Sequence, residues 1–286
     1  IGSAAFYAGR RLRRPVVGSF DLELGRNAEY YLGVVFRFTL IVRFFRWFIA
    51  RRMSVFRRCS HILVPSRSMD EHVKRSFPGM GTTLFRRAVD PEAFAPRYRS
   101  SAFREHHGFQ DKVVVLFVGR LSLEKNLRFL ARVYASLKER YPQAALLLVG
   151  DGPEREVLRA MGLRDVVLPG ILRGRELAEA YASADIFAFP SLAEAGPMVI
   201  LEAMASELPV VVLRSGSAYE GVQDGITGFV VEDMAGFEER LVWLVEDAKL
   251  RERMGREARR YAETQNWAGA WSVVLGALSQ SAAFSL

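Results

Sequence analysis

FAFPSLAEAGPMVILEAMASELPVVV, from Phe187 to Val212, decides the fold. Phe187 to Phe189 is a short apolar run ended by Pro190-Ser191, as a strand is ended. Pro197 can open a helix, because the first helical turn has no amide partner to lose. Leu201, Ala203, Met204 and Ala205 continue it with good helix formers. Pro209 to Leu213 is apolar and β-branched, the pattern of a buried strand. The stretch therefore reads strand, loop with Glu194, helix with Glu202, strand. In an open parallel sheet such loops line the ligand crevice at the carboxyl ends of the strands. The spacing argues against a glycosidase. Along one continuous helix, Glu194 and Glu202 would be about 12 Å apart and roughly 80° off the same face. A glycosidase needs two carboxyls facing each other at about 5–9.5 Å.

The same alternation extends on both sides. Upstream, Val113 to Val118, Ala144 to Val149 and Val166 to Leu168 are continuous apolar runs. Between the first two, Ser122 can cap a helix whose buried face is Leu127, Leu130, Tyr134 and Leu137, at spacings of three and four. Leu177, Ala180 and Tyr181 mark the next helix. Downstream, Thr227 to Val231 reads as a strand. Phe237, Leu241, Leu244 and Val245 mark one helix, and Leu250, Met254, Ala258 and Tyr261 another. Strands alternating with helices specify an α/β fold with a doubly wound parallel sheet.

The loop after Val118 reads Gly119-Arg120-Leu121-Ser122-Leu123-Glu124-Lys125-Asn126. It has neither G-x-G-x-x-G nor G-x4-G-K-S/T, so dinucleotide and P-loop chemistry are not indicated. It places an Arg on a loop and a Lys in the first turn of a helix. Helix N-termini attract anions, and both side chains add charge-assisted bonds. Such a loop can hold an anionic group.

These residues resemble the family 4 glycosyltransferases of the GT-B fold. Glu194 and Glu202 match the E-x7-E motif, with EAMA and LPVV following in register, and the Gly119 loop matches G-R-x4-K-N. Arg86-Arg87-Ala88-Val89-Asp90, with Phe94-Ala95-Pro96, resembles the interdomain signature of the mannosyl- and sulfoquinovosyl-transferring members. Ala88 replaces its glycine. The resemblance implies two Rossmann-like domains. Arg120 and Lys125 would hold the donor diphosphate, with Gly119 opening their loop. Glu202 would accept hydrogen bonds from the ribose hydroxyls, and Glu194 would sit by the donor sugar. The backbone at Gly196, Pro197, Met198 and Val199 would approach the sugar or phosphates; Pro197 removes one donor amide. Gly150 and Gly152 would let the backbone pass close to the nucleotide, or are plain turn glycines. Main-chain groups at Ile171 and Leu172 would read the base. Asp21 stands where the family often has a catalytic histidine. An aspartate can hydrogen-bond a sugar hydroxyl but does not mimic an imidazole, so the catalytic detail differs or activity is compromised. No metal or other cofactor is expected for the chemistry, and no Asp-x-Asp cluster is present. The motifs are specific only after Gly119.

The 286 residues suffice for two domains. They are expected to divide as a partial acceptor-side domain over 1–95, a nucleotide-sugar domain over 96–270, and a C-terminal helix over 271–286. That helix can pack back on the first domain. In the first, Ala4 to Arg13 reads as a helix. Pro15 to Phe20, His61 to Val64 and Thr82 to Phe85 read as strands, and Met69 to Arg75 as a helix. The chain starts at Ile1 inside a helical pattern, so the opening strands of a complete Rossmann-like domain are expected to be missing. The one cysteine, Cys59, excludes an intramolecular disulfide, and His61, His72, His106 and His107 have no metal-site spacing. There is no signal peptide pattern and no uncharged apolar span of about 18 residues. A net charge of +8 favours anionic partners.

Tyr31 to Arg58 mixes aromatics with arginines too often for a membrane span. It fits a packing helix with snorkelling arginines slightly better than an interfacial helix on anionic lipid. Nucleic acid is not expected as a partner, since no readable module accompanies the basic residues. The functional expectation is a retaining transferase moving a hexose from GDP-mannose or a UDP-sugar to a lipid or saccharide acceptor. It would be cytoplasmic, with peripheral contact at the inner membrane face. A non-catalytic nucleotide-sugar-binding protein, and a GT-B epimerase or phosphorylase, remain as alternatives.

Overall fold

The computed structural model describes residues 7–9, 11, 12, 14–20, 54–194 and 196–283. They form two compact units, one of residues Ile1–Arg87 with Ala268–Leu286, the other of residues Ala88–Trp267.

The first unit holds a parallel sheet in the order β1 (Val17–Ser19), β2 (His61–Val64), β3 (Gly81–Leu84). The register pairs Val17 with His61 and His61 with Gly81. Helix α1 (Arg67–Ser76) joins β2 to β3 and turns Met69 and Val73 inward. Ser66 caps it by accepting from the Met69 amide at 3.2 Å, satisfying one of the orphan donors of the first turn. Residues 7–9, 11 and 12, within the helix expected from Ala4 to Arg13, are helical. The last helix, α9 (Trp267–Ala283), starts at the end of the second unit and is otherwise grouped with the first.

The second unit carries six parallel strands: β4 (Val113–Val118), β5 (Ala144–Val149), β6 (Val166–Gly170), β7 (Ile186–Phe189), β8 (Val210–Leu213) and β9 (Gly228–Val231). Their spatial order is β6-β5-β4-β7-β8-β9. Both faces are covered, which is why β4, β5, β7 and β8 read as unbroken apolar runs and are almost wholly buried. Helices α2 (Ser101–His106), α3 (Leu127–Arg140), α4 (Arg155–Ala160), α5 (Gly174–Ser183), α6 (Met198–Ala205), α7 (Met234–Glu246) and α8 (Ala248–Thr264) complete it. On α3 the expected face of Leu127, Leu130, Tyr134 and Leu137 is buried to 1% exposure at each position. Burial of each such side chain contributes about 1.5–3 kcal/mol.

The segment from Ala88 to Pro96 is held within this unit. The Val89 amide donates to Gln265 O at 3.0 Å. The Arg259 guanidinium, from α8, donates to Pro91 O at 2.9 Å, to Phe94 O at 2.8 Å and to Ala205 O at the end of α6. Ala88 is buried and is not among the described non-glycine residues with positive φ, so the side chain replacing the signature's glycine meets no backbone conflict.

Candidate active site

β4 and β7 are neighbours, yet the chain leaves β4 toward β5 on one side and leaves β7 toward β8 on the other. The sheet reverses its strand order there. The loops beyond the carboxyl ends of two such strands separate and leave a crevice. These two loops carry the expected residues: 119–126 follows β4, and 190–197 follows β7.

The loops meet through an ion pair. Lys125 Nζ contacts Glu194 Oε1, with the two side chains only 16% and 11% exposed. The ammonium also lies 5.5 Å from the centre of the Phe189 ring at the end of β7. Ser191 Oγ donates to the same carboxylate oxygen at 2.6 Å. A third loop, after β8, fixes the Glu194 backbone: the Ser217 amide and Oγ donate to Glu194 O at 3.0 and 2.9 Å. Gly216, at φ 58°, brings that loop in so closely that a Cβ there would lie 2.6 Å from Glu194 N. Ser191, Gly216 and Ser217 were not among the residues expected from the sequence. Ser191 entered that reading only as part of the end of a strand.

The 119–126 loop differs locally from the sequence expectation. Lys125 lies in a 3-10 turn, Leu123–Lys125, rather than in the first turn of the helix. Asn126 follows in the left-handed conformation, φ 57°, and α3 begins only at Leu127. Ser122 does not cap it; its Oγ donates to Glu124 Oε1 at 2.6 Å. Asn and Asp tolerate left-handed backbone better than other side chains, and that single residue rotates the helix start away from Lys125. The Arg120 guanidinium projects into solvent, 69% exposed, with one terminal nitrogen 3.6 Å from Glu124 Oε1.

Gly150 and Gly152 let two stretches of backbone approach each other closely. A Cβ on Gly150 would lie 1.8 Å from Gly119 O, and one on Gly152 would lie 2.3 Å from Leu121 O. What they admit is the backbone of the β4 loop, which is bonded from Leu121 N to Asp151 O and from Glu154 N to Leu121 O, each at 2.9 Å. The rim continues to the end of β6, where the Gly150 amide donates to Gly170 O at 2.8 Å. Ile171 and Leu172 follow directly, with Ile171 60% exposed.

Pro197 is the residue before α6, with φ −73° and ψ 121°, and Met198 is the first helical residue. Gly196, φ 144°, turns the chain into it. The amides of Met198 and Val199 therefore belong to the first turn, where donors have no intrahelical partner and the helix dipole is positive. Glu202 lies four residues into α6, about 6 Å along its axis. It is half-buried, and its Oε2 accepts from Tyr181 Oη, on α5, at 2.7 Å. Burial pushes the Glu202 carboxyl above the usual carboxylate range, and the Tyr181 hydrogen bond offsets part of that. Tyr181 itself is pushed well up by burial and then by the charge of Glu202.

Arg120, Lys125, Glu194 and the entry to α6 thus share one rim, with Glu202 on the helix that leaves it. Asp21 and most of the Tyr31–Arg58 stretch lie outside the described residues. Among the described residues no cluster of His, Cys, Asp and Glu is arranged to hold a metal ion. A cavity of about 320 Å³ lies at the opposite, amino-terminal rim, lined by Arg99, Asp185, Ser206 and Arg256 among others; it shares no lining residue with the site above.

Residues 99–261 match the family model described as glycosyl transferases group 1. The sulfoquinovosyl transferase SQD2 of Arabidopsis thaliana is 38% identical over 196 residues, which are 65% of this chain and 38% of that protein. A GDP-mannose-dependent alpha-mannosyltransferase of Corynebacterium glutamicum is 32% identical over 255 residues, 87% of this chain and 58% of that protein. The chain thus spans well under two thirds of the length of these two relatives. Among solved structures, Anabaena Alr3699/HepE in complex with UDP and glucose superposes with a TM-score of 0.78 over 98% of this chain and 75% of that one, at 20% identity, a likeness of fold. The chain belongs to the group 1 glycosyl transferases and has their GT-B architecture of parallel α/β sheets.

Proposed function

We propose that this chain is the donor-binding part of a retaining glycosyltransferase. It takes a hexose from a nucleotide-diphosphate sugar, GDP-mannose or a UDP-sugar, and passes it to a lipid or saccharide acceptor. The observation that carries the reading is the contact of Lys125 with Glu194 across the strand-order reversal. A cation for the leaving diphosphate and a carboxylate for the sugar stand side by side where an open α/β sheet binds ligands. The relatives lend support: the Corynebacterium protein is described as GDP-mannose-dependent, and the Anabaena protein as a complex with UDP and glucose.

In this reading the diphosphate draws Lys125 from Glu194 and is met by the Arg120 guanidinium and the Met198 and Val199 amides. Each charge-assisted bond would contribute about 1.5–3 kcal/mol. Such groups accelerate transfer where they hold the departing diphosphate more tightly than the intact donor. Freed of its cation, Glu194 faces the sugar, held in place by Ser191 and Ser217. Glu202 accepts from the ribose, and the base lies toward Ile171 and Leu172, beyond Gly150 and Gly152. The chemistry proceeds without a metal. Asp21 and the acceptor belong to the side of residues 1–95. Contact with an anionic membrane face through residues 30–58 completes the proposal. No helix among the described residues is long and apolar enough to cross a membrane.

The test is transfer and binding with a panel of GDP-, UDP- and ADP-sugars. Saturable binding of one donor, lost in Lys125→Ala, supports the reading; equal affinity of wild type and variant for every donor rejects it.

A further inference from the structure

We propose that Tyr181 is a positioning residue of the donor site: its phenol holds one oxygen of Glu202 so that the other is presented to the nucleotide ribose. This rests on the donor reading given above. Tyr181 has no exposed surface. Its ring is wedged between Phe94, edge-on at 5.5 Å, and Phe187 at 6.0 Å. If packing were its whole task, phenylalanine would fill the same space. The hydroxyl instead donates to Glu202 Oε2 at 2.7 Å. An ionised carboxylate only accepts, so the phenol is the donor, and the direction of the second carboxylate oxygen is set by the bond to the first.

Helix α6 packs against α5, α8, β7, β8 and the turn Ala218–Gly221. From α5 the titratable group facing Glu202 is Tyr181. From α8 the charged group reaching α6 is Arg259, occupied by the carbonyls of Pro91, Phe94 and Ala205. β7 and β8 bring only apolar side chains, and the turn brings Tyr219 and Glu220. Burial raises the Glu202 carboxyl and the phenol opposes it. Removing the hydroxyl therefore raises the Glu202 carboxyl further, and a protonated carboxyl is a poorer acceptor for the ribose.

The experiment is a double-mutant cycle on the full chain: wild type, Tyr181→Phe, Glu202→Gln and the double variant. Affinity for GDP-mannose and UDP-glucose is measured by calorimetry across pH, and the Glu202 carboxyl is titrated by carbon-13 NMR. The proposal expects Tyr181→Phe to weaken donor binding about tenfold at pH 7, the scale of one hydrogen bond to a charged group. Its acid limb moves to higher pH, and no further loss occurs in the Glu202→Gln background. Unchanged affinity and pH profile in Tyr181→Phe, or simple additivity, would overturn it. If wild type binds neither nucleotide sugar, the donor reading fails. The carboxyl titration then judges the pairing alone, which falls if Tyr181→Phe leaves the Glu202 titration in place. If Tyr181→Phe does not fold, the wild-type chain decides: a Glu202 carboxyl carbon resonance that shifts between H2O and D2O, through the proton the phenol donates, supports the proposal, and absence of that shift overturns it.

Discussion

Replacing Gly150 by alanine should force apart the two loops that build the rim. The residue sits at φ 136°, and an added Cβ would stand 1.8 Å from Gly119 O, about 1.2 Å inside the 3.0 Å that real Cβ atoms keep. The obstacle is backbone on both sides, so no side chain can swing away. Overpacking of this kind costs about 1–3 kcal/mol, and holding a non-glycine residue in so sparse a backbone region adds about 1–3 kcal/mol. Together they give roughly 2–6 kcal/mol, or about 5–20 °C in Tm for a unit of this size. Gly162→Ala is the control. It too has positive φ, 60°, but a Cβ there meets nothing within 4 Å, so only about 1–2 kcal/mol of backbone strain applies. Differential scanning calorimetry of the two variants compares them directly. If Gly150→Ala melts at or above Gly162→Ala, the loop-on-loop contact does not have the tightness argued here.

Three further outcomes are expected. Lys125→Met should lower affinity for GDP or UDP by about tenfold to a hundredfold, the weight of one charge-assisted bond; calorimetry showing less than a twofold change would contradict the role given to Lys125. Glu202 has a raised carboxyl pKa in the folded chain. Its contribution to stability is therefore complete below the unfolded value and lost as pH rises through the folded one. Glu202→Gln should then melt higher than wild type at pH 8, with the gap closing toward pH 4, while binding donor more weakly; a lower Tm at pH 8 is the contrary result. Arg259→Met should leave the carbonyls of Pro91, Phe94 and Ala205 without their donor, at a cost of about 2–5 kcal/mol. It should also expose the 88–96 segment to protease, and an unchanged urea midpoint would refute that anchoring role.

The second sheet was legible because its strands are buried on both faces. Val113–Val118 and Ala144–Val149 are read to the residue from composition alone. The edges are less sharp: β6 runs on through Pro169 to Gly170, since a sheet edge tolerates proline. Local propensity misled where a single residue changed the backbone. Ser122 has the chemistry of a helix cap, but Asn126 in the left-handed region starts the helix later, and the serine turns to Glu124 instead. Pro197 is displaced by one position, because Gly196 already turns the chain into α6. The partners of the site were not legible at all. Ser191 is close to Glu194 in sequence, but Ser217 lies 23 residues from Glu194, whose backbone carbonyl it bonds, and Tyr181 lies 21 residues from the Glu202 carboxylate. No local pattern distinguishes a tyrosine that bonds a buried carboxylate from one that only packs.

A crystal structure of the chain with bound GDP or UDP tests the central claim most directly. The account predicts diphosphate oxygens about 2.7–3.0 Å from Lys125 Nζ, at the crevice between the β4 and β7 loops, with the Lys125–Glu194 contact opened. A nucleotide seated elsewhere, such as the cavity beside Arg99 and Arg256, with that contact intact would contradict it.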